Sequence, residues 1–354
     1  PLLHSSMRLL IYEWSCSGGM QSETARTILK KMPLAGFLKE GRLMIESLAW
    51  DASKNMSIDV TVMVDETLAS EEVPQLPEDC TVQSVACGCD IGLLLEIAPH
   101  FDHIIFIAPE TQGVLVHSLQ KIEDAGFGDR LINCPIPFVS AASDKHTTCT
   151  ILAAAGIPTP TGYTVPAGGE LPADCRLPAV LKPRMSAGCD GLRIIYSYSD
   201  FIAPEIDSRL EHLVSGIHGS CCCLCTTDSI IPLLPCEQLF TTQSQPAYLG
   251  CHPAPVALHG RIQALAVRSI EALGRATNSR ARGWVGVDMI LGNYDDGRDD
   301  RVLEINPRFT TSFVGLSCGQ QDGLLGPLLN HVRGKPTRIA PWEKEACAFS
   351  LTSK

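Results

Sequence analysis

The chain has 354 residues, 45% hydrophobic and 19% charged, with a formal charge of -11. That length accommodates two or three compact units with buried cores, and the composition excludes a disordered polymer. Scattered Lys and Arg in an acidic chain argue against nucleic acid as a partner, and no apolar run approaches the roughly 18 residues of a membrane span.

A chain this large needs no disulfide staples, and PLLHSS lacks the charged start and sustained apolar core of a secretory leader; sixteen reduced thiols in a cytoplasm are the expectation. The residues before Met7 are an extended start or a remnant. The run CCCLC, Cys221–Cys225, invites a zinc reading. Strand neighbours point to opposite faces, however, and no second Cys/His pair at finger spacing follows, which favours strand packing.

From Met7 the chain reads as a strand, RLLIYEW, a small-residue turn, SCSGG, and a mostly helical stretch to about Lys54. The runs IDVTVMV (58–64), TVQSVA (81–86) and HIIFIAPE (103–110) alternate with helix-like segments such as Gly113–Ala125, predicting a parallel sheet covered by helices. Residues 1–138 are therefore expected to form an open α/β domain. Its turn Ser17–Gly19 lies where such sheets bind ligands, although a plain tight turn explains GG equally well.

The stretch NCPIPFVSAAS reads as a connection leading to a helix over Asp144–Ala155 that stops at Gly156. IPTPTGY is then extended, and PAVLKPR, MSAGCDG and LRIIYSY suggest a hairpin with a movable tip, a candidate lid. A polar helix is expected around Asp207–Leu213. The Cys-rich strand, IIPLLPCEQLF, a helix over His259–Asn278 and a final hairpin complete a mixed antiparallel unit. The expected divisions are 139–213 for the lid and 214–354 for the core.

In the final hairpin, VGVDMIL and RVLEINP flank NYDDGRDD, whose Asp296-Gly297 favours a tight reversal. A turn centred there sets Asp288 opposite Glu304. Alternation then predicts Val287, Met289, Leu291, Leu303 and Ile305 on the core face, with Asp288, Glu304 and Asn306 on the other. Opposed carboxylates stand roughly 4.5 to 5.5 Å apart at Cβ and repel each other, so a cation should compensate them. Two carboxylates and a carboxamide form an oxygen-only set suited to magnesium; surface ion pairs with Arg301 or Arg308 are the alternative.

Cationic groups would then meet a nucleotide's phosphates. Lys182 ends an apolar strand just before SAGCDG, whose small residues allow backbone N–H groups to approach phosphate oxygens, and Lys145 opens a helix; either could equally be a solvated surface residue. The patterns GxxxxGK[ST] and GxGxxG are absent from the sequence.

The segments DKHTTCTILAAAGIPTP, VLKPRMSAGCDG, and GVDMIL followed by VLEINPRFTTS resemble the ATP-grasp superfamily of carboxylate-amine ligases, in domain order as well as in motif. The ending EINPRFTTS, with MRLLIYEW and SGG, is most similar to the tyramine-glutamate ligase group of methanofuran-type cofactor biosynthesis. The resemblance implies an ATP-grasp fold of an open α/β domain, a small lid and a mixed-sheet core. It implies that Lys145 and Lys182 contact ATP phosphates under a loop, Ser186–Gly191, including Ala187, Gly188 and Gly191. Asp288, Glu304 and Asn306 would hold two magnesium ions, with manganese as a substitute and Glu304 bridging. Arg308 would stabilise the transferring phosphoryl group. Backbone groups from Leu213 through Ser215 to Ile217 would read adenine; Ser215 stands where the family commonly has an acid, with Glu211 or His218 as replacements.

The implied reaction activates an amino-acid carboxylate as an acyl phosphate that an amine attacks, with glutamate and a tyramine-like amine as substrates and a homodimer as the family-level expectation. The turn Ser17–Gly19 and Ala247–Pro253 are the guesses for substrate contacts. The alternatives are a ligase resembling D-alanine-D-alanine ligase, a glutamate-adding enzyme, or an ATP-binding regulatory protein without turnover.

Overall fold

The structure is a computed structural model that describes residues 6–22, 25, 34–55, 57–226 and 228–351. The chain start before Ser6 and most of the first part of the stretch expected to be helical lie outside the described residues.

Strand β1 (Met7–Glu13) is flanked by β2 (Ile58–Asp65) and β4 (His103–Ile107), with β3 (Thr81–Val85) outside β2, and all three pairings are parallel. Apolar residues on both faces of β1 explain why helices cover both sides. Leu9 and Ile11 enter one core cluster, which holds Ile45 and Leu48 of helix α1 (Leu34–Ser53). Leu10 and Tyr12 enter another, with Leu94 of α2 (Asp90–Ile97) and Leu115 of α3 (Val114–Asp124). The stretch expected to be a connection is instead helical: α4 (Ile136–Ser143) buries Phe138 and Val139 in this second cluster, and α5 (Lys145–Ala154) follows at once. Asp144 separates the two helices and caps α5, accepting from the His146 and Thr147 backbone N–H groups at 2.9 and 3.3 Å.

A four-stranded antiparallel sheet comes next, in the order β5 (Gly162–Val165), β8 (Ser208–His212), β6 (Ala179–Pro183), β7 (Arg193–Ile195). The segment expected to be a polar helix is one of its two inner strands, β8. Ser-Arg-Leu-Glu-His alternates like a strand: Leu210 enters a small core with Val165, Ala179, Leu181 and Ile195, while Arg209 and Glu211 share the opposite face. Charge suggested an exposed helix, yet all three side chains are buried. This core is separate from the two larger clusters, a basis for independent movement of the sheet.

The third sheet runs β14 (Arg301–Asn306), β13 (Gly283–Leu291), β9 (Ile217–Cys225), β11 (Cys236–Phe240), β12 (Tyr248–Pro253), β15 (Phe349–Ser350), and β10 (Ile230–Pro232) also pairs with β9. The cysteines of β9 are packing residues. Cys221, Cys223 and Cys225 join the Leu10 cluster, whereas Cys222 and Leu224 join the cluster of Leu9 and Trp284. Both large cores are thus shared by the first and third sheets. Their seam is close: Gly283, with φ +81°, leaves only 1.8 Å between an added Cβ and the Ile132 carbonyl oxygen, so a side chain there is excluded twice over.

At the carboxyl end of β1, Glu13 is buried and accepts from Ser15 N–H, Ser15 Oγ and Cys16 N–H at 3.0, 2.6 and 3.0 Å. Burial pushes its carboxyl up to about 7 from an ordinary 4.5, against those hydrogen bonds. The folded protein keeps a proton there that the unfolded chain has lost, so stability falls by about 3 kcal/mol as pH rises through that window. Glu13→Gln is expected to flatten the slope, read by comparing urea midpoints at about pH 5 and about pH 8.

Candidate active site

Strands β13 and β14 pair Gly286 with Asn306, Val287 with Ile305 and Asp288 with Glu304, the register that alternation requires. The reversal is looser than a tight turn: nine residues, Gly292 to Asp300, separate the strands, and Arg261 grips Asp300 within that loop. Immediately beyond Asp288 the register shifts, so that Met289 opposes Val302. This bulge corrects one expectation. Val302 is fully buried, while Leu303 leaves the core face and lines a cavity beside Glu304.

That cavity, of about 600 Å³, lies between the small sheet and the third sheet. Asp288, Glu304, Asn306, Lys145, Lys182 and Arg308 all line it. Asp288 accepts from Gln238 Nε2 at 3.1 Å and from Asn306 Nδ2 at 2.8 Å, and burial together with the Glu304 charge pushes its carboxyl up to about 7. Burial acts on Glu304 as well, but the charges of Lys145 and Lys182 outweigh it and hold that carboxyl below its ordinary value. Lys145 Nζ lies 3.1 Å from Glu304 and donates to the Ser186 carbonyl at 2.5 Å.

The ion-pair alternative fails for both arginines. Arg301 donates to the carbonyls of Arg298 and Asp300, and Arg308 turns to Glu110. Two adjacent carboxylates, one forced towards its protonated form, and a carboxamide are chemically suited to a hard cation. Among the described residues no three His, Cys, Asp or Glu side chains gather as a metal site, so magnesium here would take its other ligands from water and substrate phosphate.

Lys182 is no solvated surface lysine: it is 5% exposed and lies 2.6 Å from Glu211, itself 4% exposed. Arg209 Nε donates to the other Glu211 oxygen at 2.7 Å, and its Nη1 meets His146 Nδ1 at 2.9 Å. Arg308 makes a two-pronged pair with buried Glu110, Nε to Oε1 at 2.9 Å and Nη2 to Oε2 at 2.8 Å, which fixes the guanidinium plane at the cavity wall.

Residues 142–312 match the sequence family described as an ATP-grasp domain. The chain carries an ATP-grasp domain. Solved structures show the same fold around it. An ATP-grasp superfamily protein from Archaeoglobus fulgidus superposes with a TM-score of 0.64 at 20% identity, covering 95% of this chain and 90% of that one. L-amino acid ligase from Bacillus licheniformis gives 0.63 at 12% identity over 95% and 77% of the two chains. N5-carboxyaminoimidazole ribonucleotide synthetase from Thermotoga maritima gives 0.59 at 17% over 96% and 78%. No curated protein matches the sequence.

Within the ATP-grasp domain, the loop after β6 places Ser186, Gly188, Cys189 and Asp190 on the cavity wall. Ala187 packs inward, and Gly191, at φ +69°, abuts Pro183, so neither is among the lining residues. The hinge needs a similar correction. Leu213 and Val214 line the cavity, but Ser215 and Ile217 are exposed outside that lining. Of the two replacements for the acid missing at Ser215, Glu211 lies on the wall at the preceding strand, paired with Lys182 and Arg209, and His218 also lines the cavity, its ring tilted against Phe240 at 4.9 Å. Of the guessed substrate contacts, Tyr248 lines the cavity. Ser17 is instead fully buried in the turn after β1, donating to the Met63 carbonyl at 2.7 Å.

Sequence reasoning missed Glu40, Glu110, Arg209 and Gln238. Glu110 carried the same signal as Asp288 and Glu304, a single acid ending the apolar run HIIFIAPE. Glu40 and Gln238 stand in segments that show no such contrast.

Proposed function

We propose that the chain is an ATP- and magnesium-dependent ligase that joins an amino-acid carboxylate to an amine through an acyl phosphate. In its narrower form the carboxylate is that of glutamate, the amine is tyramine-like, and the product serves methanofuran-type one-carbon cofactor biosynthesis. The observation that carries the reading is the sharing of one cavity by Asp288, Glu304 and Asn306 with Lys145, Lys182 and Arg308. Solved neighbours named as an L-amino acid ligase and, at a TM-score of 0.51 and 15% identity, as a D-alanine-D-alanine ligase from Bacillus anthracis complexed with ATP, support the same chemistry.

In this reading Lys145 and Lys182 bind the nucleotide's phosphates, the Ser186–Gly191 loop covers them, and Leu213 and Val214 meet the base. Asp288, Glu304 and Asn306 hold magnesium, which when bound neutralises phosphate charge; manganese is the natural substitute. Arg308, oriented by Glu110, faces the charge that develops as the γ-phosphoryl group moves to the carboxylate. Amine attack then expels phosphate, and a closed lid keeps water from the acyl phosphate. The working division is 1–138, 139–213 and 214–354, with the sheet from Gly162 to His212 as the moving part. The enzyme would act in a cytoplasm as a homodimer, on small molecules and without nucleic acid or membrane as a partner.

The test is ADP release from ATP and magnesium, with glutamate and other amino acids, each with and without tyramine and other amines, and the amide identified by mass. ADP formation that requires both an amino acid and an amine is expected. ATP binding without ADP release for any pair overturns the ligase and leaves a nucleotide-binding regulatory protein.

A further inference from the structure

The carboxylates at the cavity are not equivalent. Glu211 is matched by Lys182 and Arg209, Glu304 by Lys145, and Asp288 accepts from two carboxamides. Glu40, reaching the same cavity from helix α1 of the first domain, makes no hydrogen bond or ion pair among the described residues. The cation closest in influence is Arg308, but its Nε and Nη2 are committed to Glu110 and its Nη1 donates to the Phe309 carbonyl at 3.0 Å. Burial accordingly pushes the Glu40 carboxyl up, with Arg308 opposing that shift only in part.

Glu40 is also held in place. The next residue, Gly41, packs so closely on the end of β1 that an added Cβ would stand 2.2 Å from both Glu13 Oε2 and Ser15 Oγ. That contact clamps the helix to the first sheet and fixes where Glu40 meets the cavity.

A half-buried carboxylate with no ion pair among the described residues, facing a reaction space, is a site for a cation. Of the reactants in the proposed reaction, ATP and the carboxylate being activated are anionic, and positive charge is carried by the amino acid's own ammonium and by the amine before it reacts. We infer that Glu40 binds the incoming amine as its ammonium ion, a specificity contact supplied by the first domain to the ATP-grasp cavity. The inference rests on the ligase reading and deepens it. It places the amine on the Arg308 side of the cavity, where the acyl group would be held, and predicts a preference for amines over neutral nucleophiles.

Hydroxylamine, neutral near pH 7.5, captures acyl phosphates as hydroxamates without needing an ammonium site. The experiment compares full-length protein with Glu40→Gln and Glu40→Asp, using glutamate, ATP and magnesium with either tyramine or hydroxylamine. For Glu40→Gln the ratio of amide to hydroxamate is expected to fall about 30-fold, through a higher KM for tyramine, as the loss of one charge-assisted hydrogen bond implies. Glu40→Asp should recover part of the ratio. An unaltered ratio, whether both products persist or both decline together, overturns the inference, since a carboxylate acting on the amino acid's own ammonium, on the metal, on Arg308 or on folding affects both products alike. If the unaltered protein forms hydroxamate but shows no saturable dependence on amine, Glu40 has no ammonium to bind and the inference fails alone. If it forms neither product with any amino acid, the ligase reading fails and carries this inference with it.

Discussion

Replacing Glu304 by glutamine is expected to lower ADP formation at least about a thousandfold, the equivalent of several kcal/mol of lost charge stabilisation. The same change should leave the apo protein folded. Glu304 interacts with Lys145 at 3.1 Å and, as a like charge, with Asp288, so the substitution removes one attraction and one repulsion together. Lys145 keeps the Ser186 carbonyl, and Asp288 keeps Gln238 and Asn306. The net change in stability should stay within about 1–2 kcal/mol, whereas magnesium would lose half of its carboxylate charge. Thermal melts without nucleotide, set beside ADP release, separate the two effects. Near-normal turnover in a folded Glu304→Gln protein would remove the basis for the metal assignment. Asp288→Asn provides the complement: a carboxyl that burial and a neighbouring charge drive towards protonation should be replaced by an amide at little cost to apo stability, and again at large cost to turnover.

The hairpin was legible because two independent signals agreed on it, the Asp-Gly reversal and the period-two alternation that isolates Asp288, Glu304 and Asn306. The bulge between Asp288 and Met289 was not legible, because one extra residue changes no local propensity; it appears only when Val302 rather than Leu303 must fill the core. The parallel sheet was readable from its continuous apolar runs, but strand β8 was not. Arg209 and Glu211 read as surface charges until their partners are known, and those partners, Lys182, His146 and the Pro160 carbonyl, lie far away in the chain. At the hinge the sequence offered Glu211 as a replacement acid, but its pairing with Lys182 and Arg209 on the cavity wall was not legible for the same reason. Burial of polar groups is decided by long-range pairing, so a sequence marks where a charge is unusual more readily than what neutralises it.

Glu211→Gln should be the most destabilising single change at the site. Glu211, Lys182 and Arg209 are 4%, 5% and 3% exposed, so the amide would leave two buried cations without their shared counter-charge. Breaking a buried pair in this way costs about 3–5 kcal/mol, and the cost falls on a sheet whose own core is small. It should therefore appear first as faster hydrogen exchange in β6 and β8, below the temperature at which the shared cores of the first and third sheets melt. Lys182→Met is the informative contrast. It removes the cation and its solvation cost together while leaving the Arg209–Glu211 pair at 2.7 Å, so the apo protein should lose much less stability. With ATP and magnesium the order should reverse: phosphate replaces the missing negative charge beside Lys182 in Glu211→Gln, which should gain more melting temperature from the nucleotide than the unaltered protein does. Lys182→Met has no such charge to satisfy and should gain little. Equal nucleotide-induced shifts in both variants would show that Lys182 serves the lid sheet alone and never meets phosphate.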